Sequence, residues 1–288
     1  EMKGNYTAAS VEPTYAWEFR NATGTAPVLD MVNGVAATPS GATSTGEGMV
    51  LDNSTVQGNY TANDYVTLGI SSFGGKSMTL ELYVLINETS TTYARLVSIN
   101  SNQNDYLNMI SLHPYSYALY YGVIGDGANE ANNIVSNNIN HNEYIHIVLT
   151  LDYDSNEMIM YMNGELQSNT SIPSDHLPGE SNTFTLGARS VNTYTYGADC
   201  TISYFRMWDG TALSASDVAR LYAHRNAVGP GLQIHSNNEL ALGITQNTLS
   251  MPRYNLVMEA RSPFPGLSVG PTYAWEFRDN TATDVVYD

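Results

Sequence analysis

The chain has 288 residues, with 28 acidic and 11 basic side chains, a formal net charge of −17 and one cysteine, Cys200. Nucleic acid and anionic membranes are excluded as partners because each needs a basic patch, and a single cysteine excludes an intrachain disulfide framework. No apolar run approaches the ~20 residues that cross a bilayer, so we expect no membrane insertion. The acidic charge, together with abundant Asn, Thr, Ser, Gly and Tyr, indicates an acidic, mostly β protein.

Short runs in which apolar and polar residues alternate recur between residues 14 and 208, separated by Gly, Asn, Ser and Asp. This period of two predicts β-strands. The predicted strands are 15–19, 65–70, 77–86, 95–99, 108–113, 117–123, 143–152, 157–163, 183–188 and 201–208. Many short strands of this kind predict an all-β, two-sheet antiparallel sandwich.

One helix is predicted after the last of these strands. Ser214 and Asp217 have the spacing of a capping box, and Val218, Leu221 and Tyr222 recur at helical spacing. We therefore expect one short C-terminal helix at about 215–225, packed on the edge of the sandwich.

The two ends of the chain repeat each other. Residues 13–20, PTYAWEFR, recur unchanged at 271–278, and 15 of the 30 positions in 1–30 are identical in 259–288. The repeat predicts four parts: the end of an inter-repeat linker at 1–12, a sandwich at 13–226, a Gly/Pro-rich connector with a possible strand at 227–270, and the first strand of a next repeat at 271–288.

Two explanations of this repeat stay open. The chain is a piece of a longer tandem array, or its C-terminal copy has a structural task of its own. In the second case Tyr273, Trp275 and Phe277 dock on another copy, because Tyr15, Trp17 and Phe19 already supply that strand to this domain. Both explanations predict head-to-tail contacts between copies or adjacent repeats.

Three segments carry a family resemblance. Residues 143–166 read EYIHIVLTLDYDSNEMIMYMNGEL, residues 201–222 read TISYFRMWDGTALSASDVARLY, and residues 15–34 open with YAWEFR. They resemble the central hairpin, the closing strand with its helix, and the opening segment of concanavalin A-like, laminin-G-type (pentraxin-like) domains. The resemblance covers about 13–226 and implies a jelly-roll fold.

The resemblance also implies calcium. Laminin-G-type domains often bind Ca²⁺, and the family's opening motif places Asp30 and Asn33 at that site. A second possible calcium site is the loop 125–130, in which Asp126, Asn129 and Glu130 offer oxygen ligands.

Two tyrosine clusters and six sequons suggest contact with glycans. Aromatic rings stack on sugar rings, so Tyr115 and Tyr117 in one cluster and Tyr194 and Tyr196 in the other are candidate glycan-binding residues. Sequons of the form N-x-S/T are the acceptor sites for N-glycosylation in secreted proteins. The candidate acceptors are Asn5, Asn21, Asn53, Asn59, Asn87 and Asn169.

Three functions follow from these observations. We expect a non-enzymatic, extracellular or cell-surface repeat with a structural or adhesive role, which builds a linear array or filament. The alternative is a lectin-like module that binds a neutral glycan. The third is a glycoside hydrolase that uses Asp152, Asp154 or Glu157. It is disfavoured because Ser155 and Asn156 predict a hairpin turn there, where paired carboxylates point into water.

Overall fold

Strands make up almost all of the regular structure. The computed structural model describes residues 9–54, 62–70, 77–87, 94–100, 109–115, 118–124, 130–172, 183–191, 193–226, 233–234 and 240–241. The first strands are β1 (Tyr15–Glu18), β2 (Thr23–Gly24), β3 (Val28–Leu29), β4 (Ala36–Ser40), β5 (Thr43–Thr45), β6 (Met49–Leu51), β7 (Tyr65–Leu68), β8 (Met78–Ile86), β9 (Val97–Asn100), β10 (Met109–Tyr115) and β11 (Ala118–Ile124). They are followed by β12 (Glu130–Asn138), β13 (Tyr144–Asp152), β14 (Glu157–Met162), β15 (Glu165–Ser171), β16 (Thr183–Leu186), β17 (Arg189–Val191), β18 (Thr193–Thr195), β19 (Cys200–Asp209), helix α1 (Ala215–Ala223), β20 (Gln233–Ile234) and β21 (Leu240–Ala241).

Two antiparallel sheets enclose one core. The nine-stranded sheet has the order β15-β14-β13-β8-β19-β6-β5-β2, with β1 paired to β19 beside β6. The eight-stranded sheet has the order β12-β11-β10-β9-β16-β7-β4-β3. One cluster of buried side chains draws on both sheets, so their inner faces pack together. The predicted two-sheet antiparallel jelly-roll sandwich is confirmed.

The central strands show the physical origin of the alternation between apolar and polar residues. Alternate residues of β8, from Met78 to Ile86, are fully buried in the core between the sheets. In β19 a bulge between Ile202 and Tyr204 shifts the alternation by one residue, so that Phe205 continues on the inner face that Ile202 occupies.

Eleven of the observed strands were not predicted, namely β2 to β6, β12, β15, β17, β18, β20 and β21. Nine of them have five residues or fewer, whereas β12 has nine and β15 has seven. β12 (EANNIVSNN) and β15 (ELQSNTS) are rich in Asn and Ser, which have low strand propensity. Each lies at the end of its sheet, and β15 is largely exposed or half-buried. An edge strand needs less apolar surface than a central strand, so its sequence pattern is weak.

Helix α1 confirms the predicted capping box but corrects its expected position. The Ser214 side chain accepts a hydrogen bond from the Asp217 N–H, and the Asp217 carboxylate accepts one from the Ser214 N–H. Val218 packs against Val148 and Tyr161 on the outer side of β13 and β14. The helix therefore covers the outer face of the nine-stranded sheet rather than its edge.

The predicted connector contains a short pair of strands, β20 with β21. The possible strand at 254–259 and the C-terminal copy at 271–288 lie outside the described residues. In the described part of the chain, no helix is long and apolar enough to cross a bilayer.

Asn53 fastens two loops at one end of the sandwich. Its Nδ2 donates to the Asp64 carbonyl at 2.8 Å and to the Ala198 carbonyl at 3.0 Å, while its Oδ1 accepts from the Asn63 and Asp64 N–H groups. The residue is 1% exposed. A Cβ at Gly197 would lie 2.5 Å from the Asn53 side chain. Position 197 therefore requires glycine, because the Asn53 amide approaches its backbone so closely.

We predict that Asn53→Ala lowers the free energy of unfolding by about 2–4 kcal/mol, because several buried backbone groups lose their partner at once. Urea denaturation monitored by fluorescence measures this loss. Asn169→Ala is the matched control, since Asn169 is exposed on β15 and should change the free energy by less than about 0.5 kcal/mol. Equal losses in the two variants would contradict the fastening role of Asn53.

Candidate functional site

A row of hydroxyl side chains crosses the eight-stranded sheet. In the backbone register Thr38 pairs with Thr67, Thr67 with Thr185, and Thr185 with Ser98. We call these four residues the hydroxyl row. In β7, β9 and β16 the neighbours of each member belong to the core, and in β4 Ala37 does, so the row lies on the outer face of the sheet. The register continues to Ser111 in β10.

The row passes from solvent into a covered region. Thr38 is exposed, Thr67 is half-buried, and Thr185 and Ser98 are fully buried. The hydroxyl groups of Thr185 and Ser98 have no hydrogen-bond partner in the described chain. Because a buried hydroxyl normally finds a partner, this part of the row has unused hydrogen-bonding capacity. Sequence reasoning missed the row, since its members are separate in sequence and only the strand register aligns them.

Tyr65 and Ser40 lie beside the accessible end of the row. They are paired in the register of β4 with β7, and both are half-buried. Tyr65 shares strand parity with Thr67, so its ring stands on the same outer face. This end of the sheet therefore combines a partly exposed aromatic ring with uncharged hydroxyl groups.

The predicted glycan-binding tyrosines do not form one described group. Tyr115 is the last residue of β10, where its backbone pairs with Ala118, and strand parity places its position on the same side of the sheet as Ser111. Tyr194 pairs with Ser190 in the β17–β18 hairpin, and Tyr196 follows that hairpin. Tyr117 lies outside the described residues.

Tyr196 contacts two arginines. The guanidinium carbons of Arg95 and Arg189 lie 5.5 Å and 5.7 Å from the centre of its ring. Its backbone has φ of 54°, a left-handed conformation that is uncommon for an aromatic residue, and its carbonyl accepts from the Arg95 N–H at 2.9 Å. Tyr196 therefore already binds two cations within the chain, an arrangement that sequence reasoning did not find.

The acidic motif at 152–157 lies in a hairpin turn, as its Ser-Asn pair predicted. Asp152 ends β13 and pairs with Glu157 at the start of β14. The Asp152 carboxylate accepts the Ser155 hydroxyl at 2.8 Å and the Asp154 N–H at 3.0 Å. The Ser155 hydrogen bond is the main cause that lowers the pKa of Asp152. These contacts close the turn, with Asp154 and Glu157 exposed to solvent.

Asp30 closes the loop between β3 and β4. Its buried carboxylate accepts N–H groups from Val32 and Val35 at 2.8 Å each, from Asn33 at 3.1 Å and from Ala16 at 3.3 Å. The Asn33 side chain donates to the Thr14 carbonyl at 2.7 Å. Four N–H dipoles present their positive ends to the carboxylate, so this arrangement does not fit a calcium ion.

The residues of the second predicted calcium site lie only partly within the described chain. Asp126 and Asn129 lie outside it, and Glu130 begins β12, where its backbone pairs with Ile124. Among the described residues, no group of three or more His, Cys, Asp and Glu side chains could hold a metal ion. Calcium at this loop stays a prediction.

The sequons differ in accessibility, and one prediction is corrected. Asn53 is buried with its Nδ2 fully engaged, so the folded chain has no room for a glycan there. The Asn87 Nδ2 donates to the Asp199 carboxylate at 2.7 Å, whereas Asn169 is exposed on an edge strand. Asn21 is the last residue of the 3-10 turn Phe19–Asn21. Asn5 and Asn59 lie outside the described residues.

A buried charged network lies on the outer face of the nine-stranded sheet. Arg206 in β19 contacts Glu18 of β1 at 2.5 Å and Glu81 of β8 at 3.3 Å. Glu81 also accepts hydrogen bonds from His146 at 2.8 Å and from the Tyr204 hydroxyl at 3.1 Å. The sequence holds a signal for this network, because Glu81 and Arg206 interrupt otherwise apolar strands.

The network governs the ionisation of its members. Burial alone would raise the pKa of Glu81, but the Arg206 guanidinium and the hydrogen bonds from His146 and Tyr204 outweigh burial and hold that pKa below its usual value. Burial raises the pKa of Tyr204, and the Glu81 charge raises it further. Glu81 is therefore an anion and Tyr204 a neutral donor near neutral pH.

We predict that Asp30→Ala lowers Tm by the same amount with and without EGTA. Removing the carboxylate leaves buried N–H groups without an acceptor, which costs about 2–3 kcal/mol. At this chain length each ~1 kcal/mol shifts Tm by about 2–4 °C. Thermal melts of both proteins in Ca²⁺ and in EGTA measure this. A calcium effect on the unmodified chain that disappears in the variant would restore the metal site at Asp30.

We predict that Arg206→Leu lowers the free energy of unfolding by about 3–5 kcal/mol near neutral pH, because two carboxylates stay buried without their cation. In the unmodified chain the lowered pKa of Glu81 adds stability above its unfolded value of 4.5, and this stability is lost as the pH falls through the folded pKa. In the variant burial raises the pKa of Glu81, so protonation at mildly acidic pH should recover part of the loss.

Urea denaturation at neutral and mildly acidic pH measures both effects. The control is Arg220→Leu, which removes an ion pair between a half-exposed arginine and Asp217 in α1 and should cost less than about 1 kcal/mol. A loss in Arg206→Leu that does not change with pH would contradict the proposed ionisation of Glu81.

Comparisons with known proteins agree with this architecture. Domain 4 of a GH43 extracellular arabinanase from Geobacillus stearothermophilus, solved in complex with arabinotriose, has 19% identity and a TM-score of 0.52, with 73% of this chain and 98% of that chain covered. A Trypanosoma rangeli sialidase in complex with sialic acid has 16% identity and a TM-score of 0.53, with 75% and 33% covered. The binding domain of botulinum neurotoxin serotype G has 16% identity and a TM-score of 0.53, with 75% and 52% covered.

Because all three proteins are below 20% identity, these similarities establish the fold alone. The chain spans about a third of the sialidase and about half of the toxin binding domain. No curated protein matches the sequence. The profile of the concanavalin A-like lectin/glucanases superfamily matches residues 59–219, more than half of the chain, and the laminin-G-type resemblance is thereby confirmed. The chain belongs to the concanavalin A-like lectin/glucanase superfamily.

Proposed function

We propose that this domain is a non-catalytic carbohydrate-binding module that holds a neutral glycan on the outer face of its eight-stranded sheet. The accessible end of the hydroxyl row, at Thr38 and Thr67, carries this proposal. The four members of the row are aligned across four adjacent strands, and the accessible end lies beside the Tyr65 ring.

The chemistry of the row matches a neutral sugar. Sugar hydroxyls both donate and accept hydrogen bonds, and Thr and Ser hydroxyls do the same. An aromatic ring next to such groups offers an apolar surface to the C–H face of a sugar. The net charge of −17 disfavours an anionic ligand on an acidic surface.

The comparisons support carbohydrate binding over the structural role that the sequence led us to expect. The arabinanase domain was solved with arabinotriose, and it is matched over almost its whole length. The sialidase was solved with sialic acid. We place the domain outside the cell, where polysaccharides and cell-surface glycans are its targets, so an adhesive role is compatible with glycan binding.

We predict that Thr67→Val and Tyr65→Ala each weaken glycan binding at least about tenfold, since each removes a hydrogen-bonding or stacking partner worth ~1.4 kcal/mol or more. A glycan array with neutral and sialylated members identifies the ligand, and titration calorimetry with the best neutral oligosaccharide measures the loss. Thr170→Val on β15 is the matched control, because it makes the same change on the other sheet.

Unchanged affinity in both variants, with unchanged melting temperatures, would place the glycan elsewhere. Binding of sialylated members alone would contradict a neutral ligand and would direct attention to the arginines around Tyr196. No binding to any member of the array would contradict the proposed function.

A further inference from the structure

Strand β1 lies in a slot between β19 and the loop 30–35. On one side it pairs with β19, from Tyr15 opposite Met207 to Glu18 opposite Tyr204. On the other side the Ala16 N–H donates to the Asp30 carboxylate, and the Ala16 carbonyl accepts from the Met31 N–H at 2.8 Å. We call this position, with β19 and residues 30–35 as its walls, the strand slot.

Side chains of the inserted strand fit the slot at several points. Trp17 and Phe19 are fully buried, and the Trp17 Nε1 donates to the Val35 carbonyl at 2.9 Å. Trp17 also stacks on Phe205 of β19, with ring centres 6.0 Å apart. The slot therefore requires large aromatic residues two positions apart.

The slot also selects a negatively charged residue at the position of Glu18. Glu18 contacts Arg206 and Arg20, and Arg20 lies over the Tyr204 ring at 4.9 Å. Arg206 is 3% exposed, so a strand without a carboxylate at this position leaves a cation buried with one of its two partners missing. Each of these contacts comes from residues 14–20.

A second segment of the chain carries the same residues. Positions 271–278 are identical to 13–20, so Trp275, Glu276 and Arg278 correspond to Trp17, Glu18 and Arg20. We propose that residues 271–278 are a second insertion strand for the slot, and that they fill the slot of another copy of this chain. The inference is independent of glycan binding, since the slot lies on β19 of the nine-stranded sheet.

Removal of β1 breaks the contacts of Trp17, Phe19 and Glu18, and a strand with the same residues restores each of them. β1 contributes four residues and pairs only with β19. The short strand β2 follows at the end of the sheet, where it pairs with β5, and the connection from β2 to β3, residues 25–27, is exposed along its whole length. An exposed connection of this kind can act as the hinge of a strand exchange, in which β3 and the loop 30–35 stay in place.

The proposed contact is heterologous, and a heterologous contact that does not close gives a linear product. One copy offers its C-terminal segment and the next copy offers its slot, so the two surfaces differ and the contact need not close into a ring. In dilute solution the chain's own residues 13–20 compete with a high effective concentration. Association should therefore increase with protein concentration and with any change that weakens β1.

Exchange can be tested with full-length variants. Trp17→Ala weakens the chain's own strand and leaves 271–278 intact, so light scattering after size exclusion should show association at a protein concentration on the order of tenfold lower than for the unmodified chain. The double variant Trp17→Ala/Trp275→Ala should not associate. Trp17→Ala/Tyr254→Ala is the matched control, because it removes an aromatic residue outside the repeated segment, and it should behave like Trp17→Ala.

A disulfide trap tests the same contact with both repeated tryptophans intact. Thr14 accepts a hydrogen bond from the Asp209 N–H at 2.9 Å, so position 272 lies next to position 209 when the C-terminal segment fills the slot. Thr272→Cys/Asp209→Cys should give disulfide-linked multimers on non-reducing gels at high protein concentration. Thr14→Cys/Asp209→Cys should give only an internal disulfide.

Three results would overturn the inference. The first is association of Trp17→Ala that persists in the double variant with Trp275→Ala. The second is a Thr272→Cys/Asp209→Cys chain that forms only an internal disulfide, because the slot would then take its own C-terminal segment. The third is the absence of any disulfide in that chain, because the segment would then not enter the slot.

Discussion

Strand β19 and its arginine connect most parts of the sandwich. β19 pairs with β8, with β6 and with β1, and Arg206 on its outer face joins the carboxylates of Glu18 and Glu81. Three chain segments distant in sequence meet at this one guanidinium. Because a buried cation is tolerated only with its counter-charges, the position of β1 and the position of β8 depend on the same contact.

This use of cations shapes the surface. The chain has 11 basic residues, and Arg206 and Arg20 are held within the network on the nine-stranded sheet, while Arg95 and Arg189 contact Tyr196. These four arginines are thus engaged in contacts within the described chain, and the net charge of the chain is −17. A ligand for such a surface is better recognised by neutral hydrogen-bonding groups, and the hydroxyl row provides them.

The two faces of the sandwich have different tasks. The outer face of the nine-stranded sheet is covered by α1 and by the charged network, so it stabilises the domain and positions β1. The outer face of the eight-stranded sheet carries uncharged hydroxyl groups that pass from exposed at Thr38 to buried at Ser98. The proposed glycan site and the proposed strand slot therefore lie on different sheets.

Sequence patterns determined the fold class, the central strands and the helix cap. A period of two in apolar residues arises from burial of one strand face, and a capping box acts within four residues, so both are readable along the chain. The patterns missed the short strands β2 to β6, and they missed β12 and β15, whose positions at sheet edges relax the demand for apolar residues. They also gave no sign that Asn53 is buried or that Asp30 accepts several N–H groups.

Only the tertiary structure decided which distant residues meet. Thr38, Thr67, Thr185 and Ser98 are aligned by strand register, and a register is a property of pairing between strands rather than of any one strand. The repeat of PTYAWEFR was visible in the sequence, but its meaning depended on the slot that Arg206, Val35 and Asp30 build around the first copy. Local sequence sets how each segment folds, whereas burial and hydrogen bonding between segments set what the folded surface can bind.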